Sequence, residues 1–170
     1  MGRTLRLSID FVALSEPYHA RARELLTRHV WKRDWSDHLA QEYFAWRYIN
    51  RPDGETLLAL DRGRCIGIVD SFFRPYWIGG CRQKVRETCD WFCLPAYRPL
   101  GVGLHLLRRI MDNPEPTIAI GGTSIRKSCC QSFGGRAFPA STILFFRSPP
   151  RRPPRSSPEV LGRALLGQPV

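Results

Sequence analysis

The spacing of apolar residues changes several times along the chain, and each change marks an element boundary. Residues 5–14 (LRLSIDFVAL) suit a short first strand. Ser15 stands before Glu16-Pro17, a helix-start signal that predicts a helix from about Pro17 to His29 with Leu25 and Leu26 facing inward. A second helix is predicted from Ser36 to about Ile49, capped by Ser36, its apolar residues being Leu39, Tyr43, Trp46 and Tyr48. Asn50-Arg51-Pro52-Asp53-Gly54 ends it, because Pro and Asp-Gly break helices and start turns. The pattern then becomes that of strands. Thr56–Leu60, Cys65–Tyr76 and Val85–Leu94 are joined by Asp61-Arg62-Gly63-Arg64 and by Gly79-Gly80. Short turns between consecutive strands predict an antiparallel meander. Pro95 ends the last of the three.

Helical spacing returns in Leu104–Met111, which opens directly out of a glycine-bearing loop, Arg98–Gly103, and is stopped by Asn113-Pro114. Thr117–Ile120 reads as a short strand, Thr123 or Ser124 to Ser132 as a helix ended by Gly134-Gly135, and Ala140–Arg147 as a final strand. Residues 1–148 are read as one domain and residues 149–170, with their Pro and Arg runs, as a tail expected to be disordered. One short helix over Glu159–Leu166 fits the tail's pattern. There is no internal repeat.

The composition narrows the class. A chain of 170 residues with 43% hydrophobic content can bury a core, so it is neither disordered nor a disulfide miniprotein. No window approaches the roughly 18 apolar residues of a membrane helix, and MGRTLRLSIDFV lacks the pattern of a secretory leader. A cytoplasmic location without a membrane partner is the expectation. The six cysteines form no C-x-x-C pair and the four histidines stand at no zinc spacing to them, so no metal is expected and the thiols are read as reduced. Lys+Arg 26 against Asp+Glu 15 gives +11, of which residues 147–170 hold +4 (five arginines, one acid) and the remainder +7. Such a surface attracts polyanions, including phosphorylated ligands. A nucleic-acid partner is disfavoured, because no helix-turn-helix, zinc finger or RNA-binding aromatic motif accompanies the charge.

The chemistry concentrates at 85–112. A loop with Gly101 and Gly103 at a helix start presents unpaired backbone N–H groups, and the helix dipole adds partial positive charge. Such a terminus binds phosphate or pyrophosphate. Arg98 adds charge at the loop mouth. A dinucleotide fold would need glycine at position 106, which is Leu106, and a Walker loop would need G-K-[ST], which is absent.

What remains, R-x-x-G-x-G after a fourth strand, resembles the GNAT superfamily of acyl-CoA-dependent N-acyltransferases. Trp91–Gly103 is similar to that family's strand four, pyrophosphate loop and central helix, with Arg98, Gly101 and Gly103 in the fixed positions. Tyr43–Gly54 is similar to the second-helix segment of one subgroup. The resemblance implies an α/β (α+β) fold with a mixed, mostly antiparallel sheet flanked by helices. It implies transfer of an acetyl or other acyl group from acyl-CoA to a small-molecule or protein amine, without a metal. The pantetheine would pair with the backbone of Phe92, Cys93 and Leu94, and the pyrophosphate would meet the amides of Leu100, Gly101, Val102, Gly103 and Leu104. Pro99 has no N–H, so one loop donor is missing.

Some members carry a carboxylate base on strand four, where Glu87 falls, with Asp90 as the second candidate. A period of two puts those carboxylates on opposite faces. Glu87 could instead be an exposed carboxylate paired with Arg86 or Lys84, and Asp90 a charge beside Trp91 at the sheet edge. The proton-donating tyrosine of many members is replaced here by Cys130, which could also be an ordinary buried thiol. The family's last hairpin, strands six and seven, lacks its seventh strand in this reading. Either a homodimer partner, another partner strand or a larger protein completes the sheet, or the edge stays open. A catalytically weak or inactive GNAT-like module that binds CoA or a partner is the alternative function, and a basic nucleic-acid-binding protein is the third.

Overall fold

The structure, a computed structural model, describes residues 8–120, 131, 136–137 and 143–146. The chain folds as two compact units, Met1–Phe72 with Thr88–Ile110 and Phe73–Glu87 with Met111–Val170. Two long strands, β3 (Arg64–Ile78) and β4 (Cys81–Cys93), contribute to both.

In the first unit the strand order is β1-β2-β3-β4, with β1 at Ile9–Ala13 and β2 at Gly54–Asp61. Both β1/β2 and β2/β3 are antiparallel, in the registers Phe11↔Ala59 and Leu58↔Ile68. The β2–β3 turn is a two-residue hairpin with Arg62 at φ 49° and Gly63 at φ 76°, the left-handed pair whose twist suits the flanking strands. Leu58, Ile66, Ile68 and Val69 are fully buried. Removing each such side chain from water contributes about 1.5–3 kcal/mol.

The first helix begins with a single turn at Glu16–Tyr18 and continues as α1 (His19–Leu25) into a wider π-helical turn, Leu26–Trp31. Ser15 is extended, as a cap should be, but its side chain makes no capping bond; the Tyr18 amide reaches the Ser15 carbonyl instead, at 2.9 Å. Leu25 and Leu26 face inward as expected. Helix α2 (Asp37–Phe44) is capped by Ser36 Oγ, which accepts from Leu39 N at 3.3 Å, and also ends in a wider turn, Ala45–Ile49. Its buried stripe is Ala40, Phe44 and Tyr48, at i, i+4, i+8. Leu39 and Trp46 face outward, at 46% and 65% exposure, because the i+4 row and not the bulkiest residues meets the sheet.

Helix α3 (Val102–Met111) buries Val102, Leu106, Leu107 and Ile110. It lies on the sheet face opposite α1. Trp91 reaches α3, while the next residue, Phe92, stacks on His29 at 5.8 Å. Helices on both faces of a mostly antiparallel sheet are the fold class expected from the sequence.

In the second unit the order is β3-β4-β5-β7-β6. The β3–β4 hairpin closes through Gly79 and Gly80, at φ 59° and 77°, and this tight turn carries the ladder further than the apolar pattern alone indicated, to Ile78 and from Cys81. Ile78, Val85 and Ile118 form a small core with Tyr76 against it. Strand β5 is Thr117–Ile120. The last apolar run corrects the strand count. Ile143–Phe146 is the seventh strand (β7), not the sixth, and pairs antiparallel with β5. A two-residue strand, β6 at Arg136–Ala137, pairs on its other side. The strand thought to be missing is thus present. Most of the helix expected before Ser132 and all of the segment 149–170 lie outside the described residues. No helix among the described residues is long and apolar enough to cross a membrane.

Candidate active site

The loop after β4 is built in two steps. Pro95–Tyr97 makes one tight turn, and the amides of Leu100 and Gly101 close further turns onto the carbonyls of Tyr97 (3.3 Å) and Arg98 (3.0 Å). Gly101 sits at φ 74°, a left-handed conformation that a side chain would strain. The first bond of α3 runs from His105 N to Gly101 O, at 2.9 Å. The amides of Val102, Gly103 and Leu104 therefore open the helix without an intrahelical acceptor. Of the five loop amides proposed from sequence, these three are available to an anion, whereas those of Leu100 and Gly101 hold the loop's shape.

Gly103 serves packing. A Cβ there would stand 3.3 Å from Cys93 Cβ and 3.5 Å from Trp91 Nε1, and the Gly103 carbonyl accepts from Trp91 Nε1 at 2.7 Å. It lets the helix close onto β4. Arg98 is exposed and stands at the loop mouth, its Nε donating to the Cys93 carbonyl at 3.0 Å.

The Leu94 amide pairs with Ile66 O of β3 at 2.9 Å. Successive residues of a strand present their backbone groups to opposite edges. Phe92 and Leu94 therefore point toward β3, and the Cys93 amide points away from it. Burial raises the Cys93 thiol, against the pull of the Gly103 backbone and of Arg98.

Asp90 lies within β4 at φ 45°, so a simple count of two does not carry across it. Cys89 and Asp90 are consecutive, yet both are reached by Arg47 of the α2 turn, whose Nη2 lies 3.0 Å from Cys89 Sγ and 2.9 Å from Asp90 Oδ2. Two neighbours on one face mean that the alternation breaks between them, as at a bulge. A count of two across Asp90 gives the wrong face.

Around this break sits a polar cluster that the sequence reading did not assemble. Tyr48 OH donates to Asp90 Oδ2 at 3.0 Å. Asp70, fully buried, accepts from Arg51 Nη2 (2.6 Å), Thr56 Oγ1 (2.7 Å) and Cys89 Sγ (3.1 Å). Burial pushes the Asp70 carboxyl above its ordinary value, with Arg51 and the donated hydrogen bonds opposing. Burial and the Asp70 charge also raise Cys89, so its thiol keeps the proton it donates. Tyr48 is raised by burial and by Asp90. Burial works against the charge on Arg47, but its acidic neighbours outweigh it. Asp70, Cys89 and Asp90 could offer a metal three ligand atoms within 4.8 Å of one another. Two guanidiniums already supply the positive charge. A lone Asp directly after the apolar run Cys65–Val69, and two arginines four apart at and just beyond the end of a helical segment, were the available signals.

Glu87 belongs to the second unit. It is 8% exposed, accepts a hydrogen bond from Tyr76 OH, and lies 3.6 Å from Arg74 Nε. Burial and then the Glu87 hydrogen bond push Tyr76 up to about 12. The pairing of Glu87 with Arg86 or Lys84 is not found. Arg86 faces Glu115 at 3.8 Å, and Lys84 lies over the Phe73 ring at 4.0 Å. Cys130 lies outside the described residues. An open cleft of about 420 Å³ between α1 and the β2–β3 turn is lined by Arg21, Arg28, His29, Arg62 and Arg64, and contains none of the candidate residues.

Residues 14–113 match the model of the acetyltransferase (GNAT) family. The sequence has no significant match among curated proteins. The fold recurs in solved structures. A Trypanosoma brucei acetyltransferase is 19% identical, with a TM-score of 0.61 over 77% of this chain and 94% of that one. AAC(6')-Iy, solved with a bisubstrate analogue, CoA-S-monomethyl-acetylneamine, is 18% identical, with a TM-score of 0.59 over 74% and 88%. A GNAT family acetyltransferase from Brucella melitensis, solved with acetyl-CoA, is 17% identical, with a TM-score of 0.54 over 87% and 93%. With the family model spanning more than half of its length, the chain belongs to the GNAT acetyltransferase family.

Proposed function

We propose that this chain is an N-acyltransferase that moves an acetyl group from acetyl-CoA to an amine. The observation that carries the reading is the start of α3. Three amides without intrahelical acceptors, a helix dipole and exposed Arg98 converge where β4 ends. That donor set suits a pyrophosphate. The Cys93 amide, directed away from β3, suits an amide of the pantetheine arm. The crystallised relatives that hold acetyl-CoA or a CoA analogue support the same choice of ligand. A cytoplasmic setting belongs to the proposal and agrees with the free thiols of Cys65, Cys81, Cys89 and Cys93.

The reaction forms a C–N bond and breaks a C–S bond. The amine nitrogen attacks the thioester carbonyl, the tetrahedral oxyanion collapses, and CoA leaves as thiolate. The nitrogen must lose a proton and the sulfur must gain one. Glu87 is our candidate for the first transfer and Cys130 for the second. Asp90 is the second candidate for the first transfer; its carboxylate is engaged by Arg47 and Tyr48, as that of Glu87 is by Tyr76 and Arg74. The presence of β7 removes one ground for reading the chain as an inactive module.

Release of free thiol from acetyl-CoA against a panel of amines (diamines, amino sugars, lysine peptides, arylamines) tests the proposal. Turnover of at least one amine above the hydrolysis background is expected. Tight acetyl-CoA binding with no turnover across the panel would favour the inactive module.

A further inference from the structure

We propose that Arg47 and Tyr48 are positioning residues: they hold Asp90 in its left-handed conformation and thereby set the β4 backbone that receives the pantetheine arm. The inference rests on the acyltransferase reading above. A left-handed residue other than glycine inside a strand persists only where its surroundings over-determine it. Here both groups come from the end of α2. Arg47 Nη2 spans the break, touching Cys89 Sγ at 3.0 Å and Asp90 Oδ2 at 2.9 Å, with Asp70 Oδ2 at 3.7 Å behind. Tyr48 OH adds 3.0 Å to the same carboxylate oxygen. Both residues lie in the wider π-helical turn Ala45–Ile49, a distortion often found at functional positions.

The consequence lies in the three residues that follow. With Asp90 left-handed, Trp91 and Cys93 meet α3 and the Cys93 amide points away from β3. Were Asp90 to relax toward ordinary strand geometry, the backbone of Phe92 and Cys93 would rotate, while Trp91 on Gly103 and Leu94 on Ile66 hold α3 and the strand end in place. The Cys93 amide, which points away from β3, would then be mis-set for the pantetheine arm. The clamp therefore acts on the pantetheine arm and not on the helix terminus that takes the pyrophosphate.

The test compares two probes by calorimetry: acetyl-CoA, and adenosine 3′,5′-bisphosphate, which lacks the pantetheine arm. Arg47→Met should weaken acetyl-CoA by about tenfold, the size of one mis-set backbone hydrogen bond. The bisphosphate should stay within about twofold of wild type. Arg47→Lys should recover part of the loss, and Asp90→Asn, which accepts the same bonds and tolerates the conformation, should bind both probes as wild type does. If Arg47→Met does not fold, Tyr48→Phe carries the test, with a smaller loss confined to acetyl-CoA. Equal weakening of both probes, or of neither, in the folded variants overturns the clamp. If the wild-type protein binds neither probe, the acyltransferase reading itself fails and the clamp fails with it.

Discussion

Arg51→Met should destabilise the protein by about 3–5 kcal/mol at neutral pH, the usual result of stripping one partner from a buried ion pair. This is a large share of the roughly 5–15 kcal/mol that holds a domain together. Asp70 is fully buried and Arg51 Nη2 stands 2.6 Å from it. Arg47 Nη2, at 3.7 Å and already engaged by Asp90, cannot fully take over. The loss should depend on pH with a definite sign. Burial holds the Asp70 carboxyl above its ordinary value. Between the ordinary and the shifted value the native state keeps a proton that the unfolded chain has lost, so this group's contribution to stability falls as pH rises through that window. Arg51 is the main influence pulling the carboxyl back down. Its removal lifts the carboxyl further and extends the window upward. The gap between wild type and Arg51→Met should therefore narrow on acidification, as Asp70 becomes neutral in the variant. Urea denaturation at a series of pH values measures this. The double variant Arg51→Met/Asp70→Asn should recover much of the loss, since it removes the stranded charge. A gap independent of pH would show that Asp70 is not the group left stranded.

Glu87→Gln should lower turnover of a good amine acceptor by about 10²–10⁴-fold, the range for loss of a general base. The substitution keeps the side chain's size and keeps an oxygen for the Tyr76 hydroxyl, so the fold should survive. What disappears is the negative charge, and with it the ability to take a proton from an ammonium acceptor. The deficit should shrink at high pH, where the free amine supplies itself. Acetyl-CoA affinity should stay near wild type. If Glu87→Gln turns over normally and Asp90→Asn does not, the role belongs to Asp90. If neither matters, positioning alone drives the reaction.

The parts legible in the sequence were those written locally. Arg62-Gly63 and Gly79-Gly80 mark their hairpins by residue type alone. Arg98-Pro99-Leu100-Gly101-Val102-Gly103 marks a helix start that offers amides, because glycine, proline and the helical run that follows are contiguous. The features that escaped are non-local. Arg47 and Asp90 stand 43 residues apart, and Arg51 and Asp70 19 apart. No short window contains both members of either pair. The left-handed Asp90 escaped for the same reason: Asp is permitted there, but the partners that enforce the conformation belong to another element. Gly103 carried an ambiguous signal, since closeness to a phosphate and closeness to β4 both require the absence of a Cβ. The two-residue β6 is too short to leave any periodicity.

If acetyl-CoA binds through the amides that open α3, a carboxylate placed beside them should weaken binding. Calorimetric titration of acetyl-CoA into wild type and Leu104→Glu tests it most directly. Leu104 is 40% exposed, so the change disturbs little packing. A carboxylate in the first turn favours the helix dipole and should leave stability unchanged or raise it by a few tenths of a kcal/mol, about 0.3–1 at most. The same charge faces the pyrophosphate, and acetyl-CoA affinity should fall by about tenfold or more. Measurable binding by wild type and this opposed pair of effects in the variant are expected. Binding that is absent in wild type, or undiminished in a stably folded Leu104→Glu, would contradict binding through these amides.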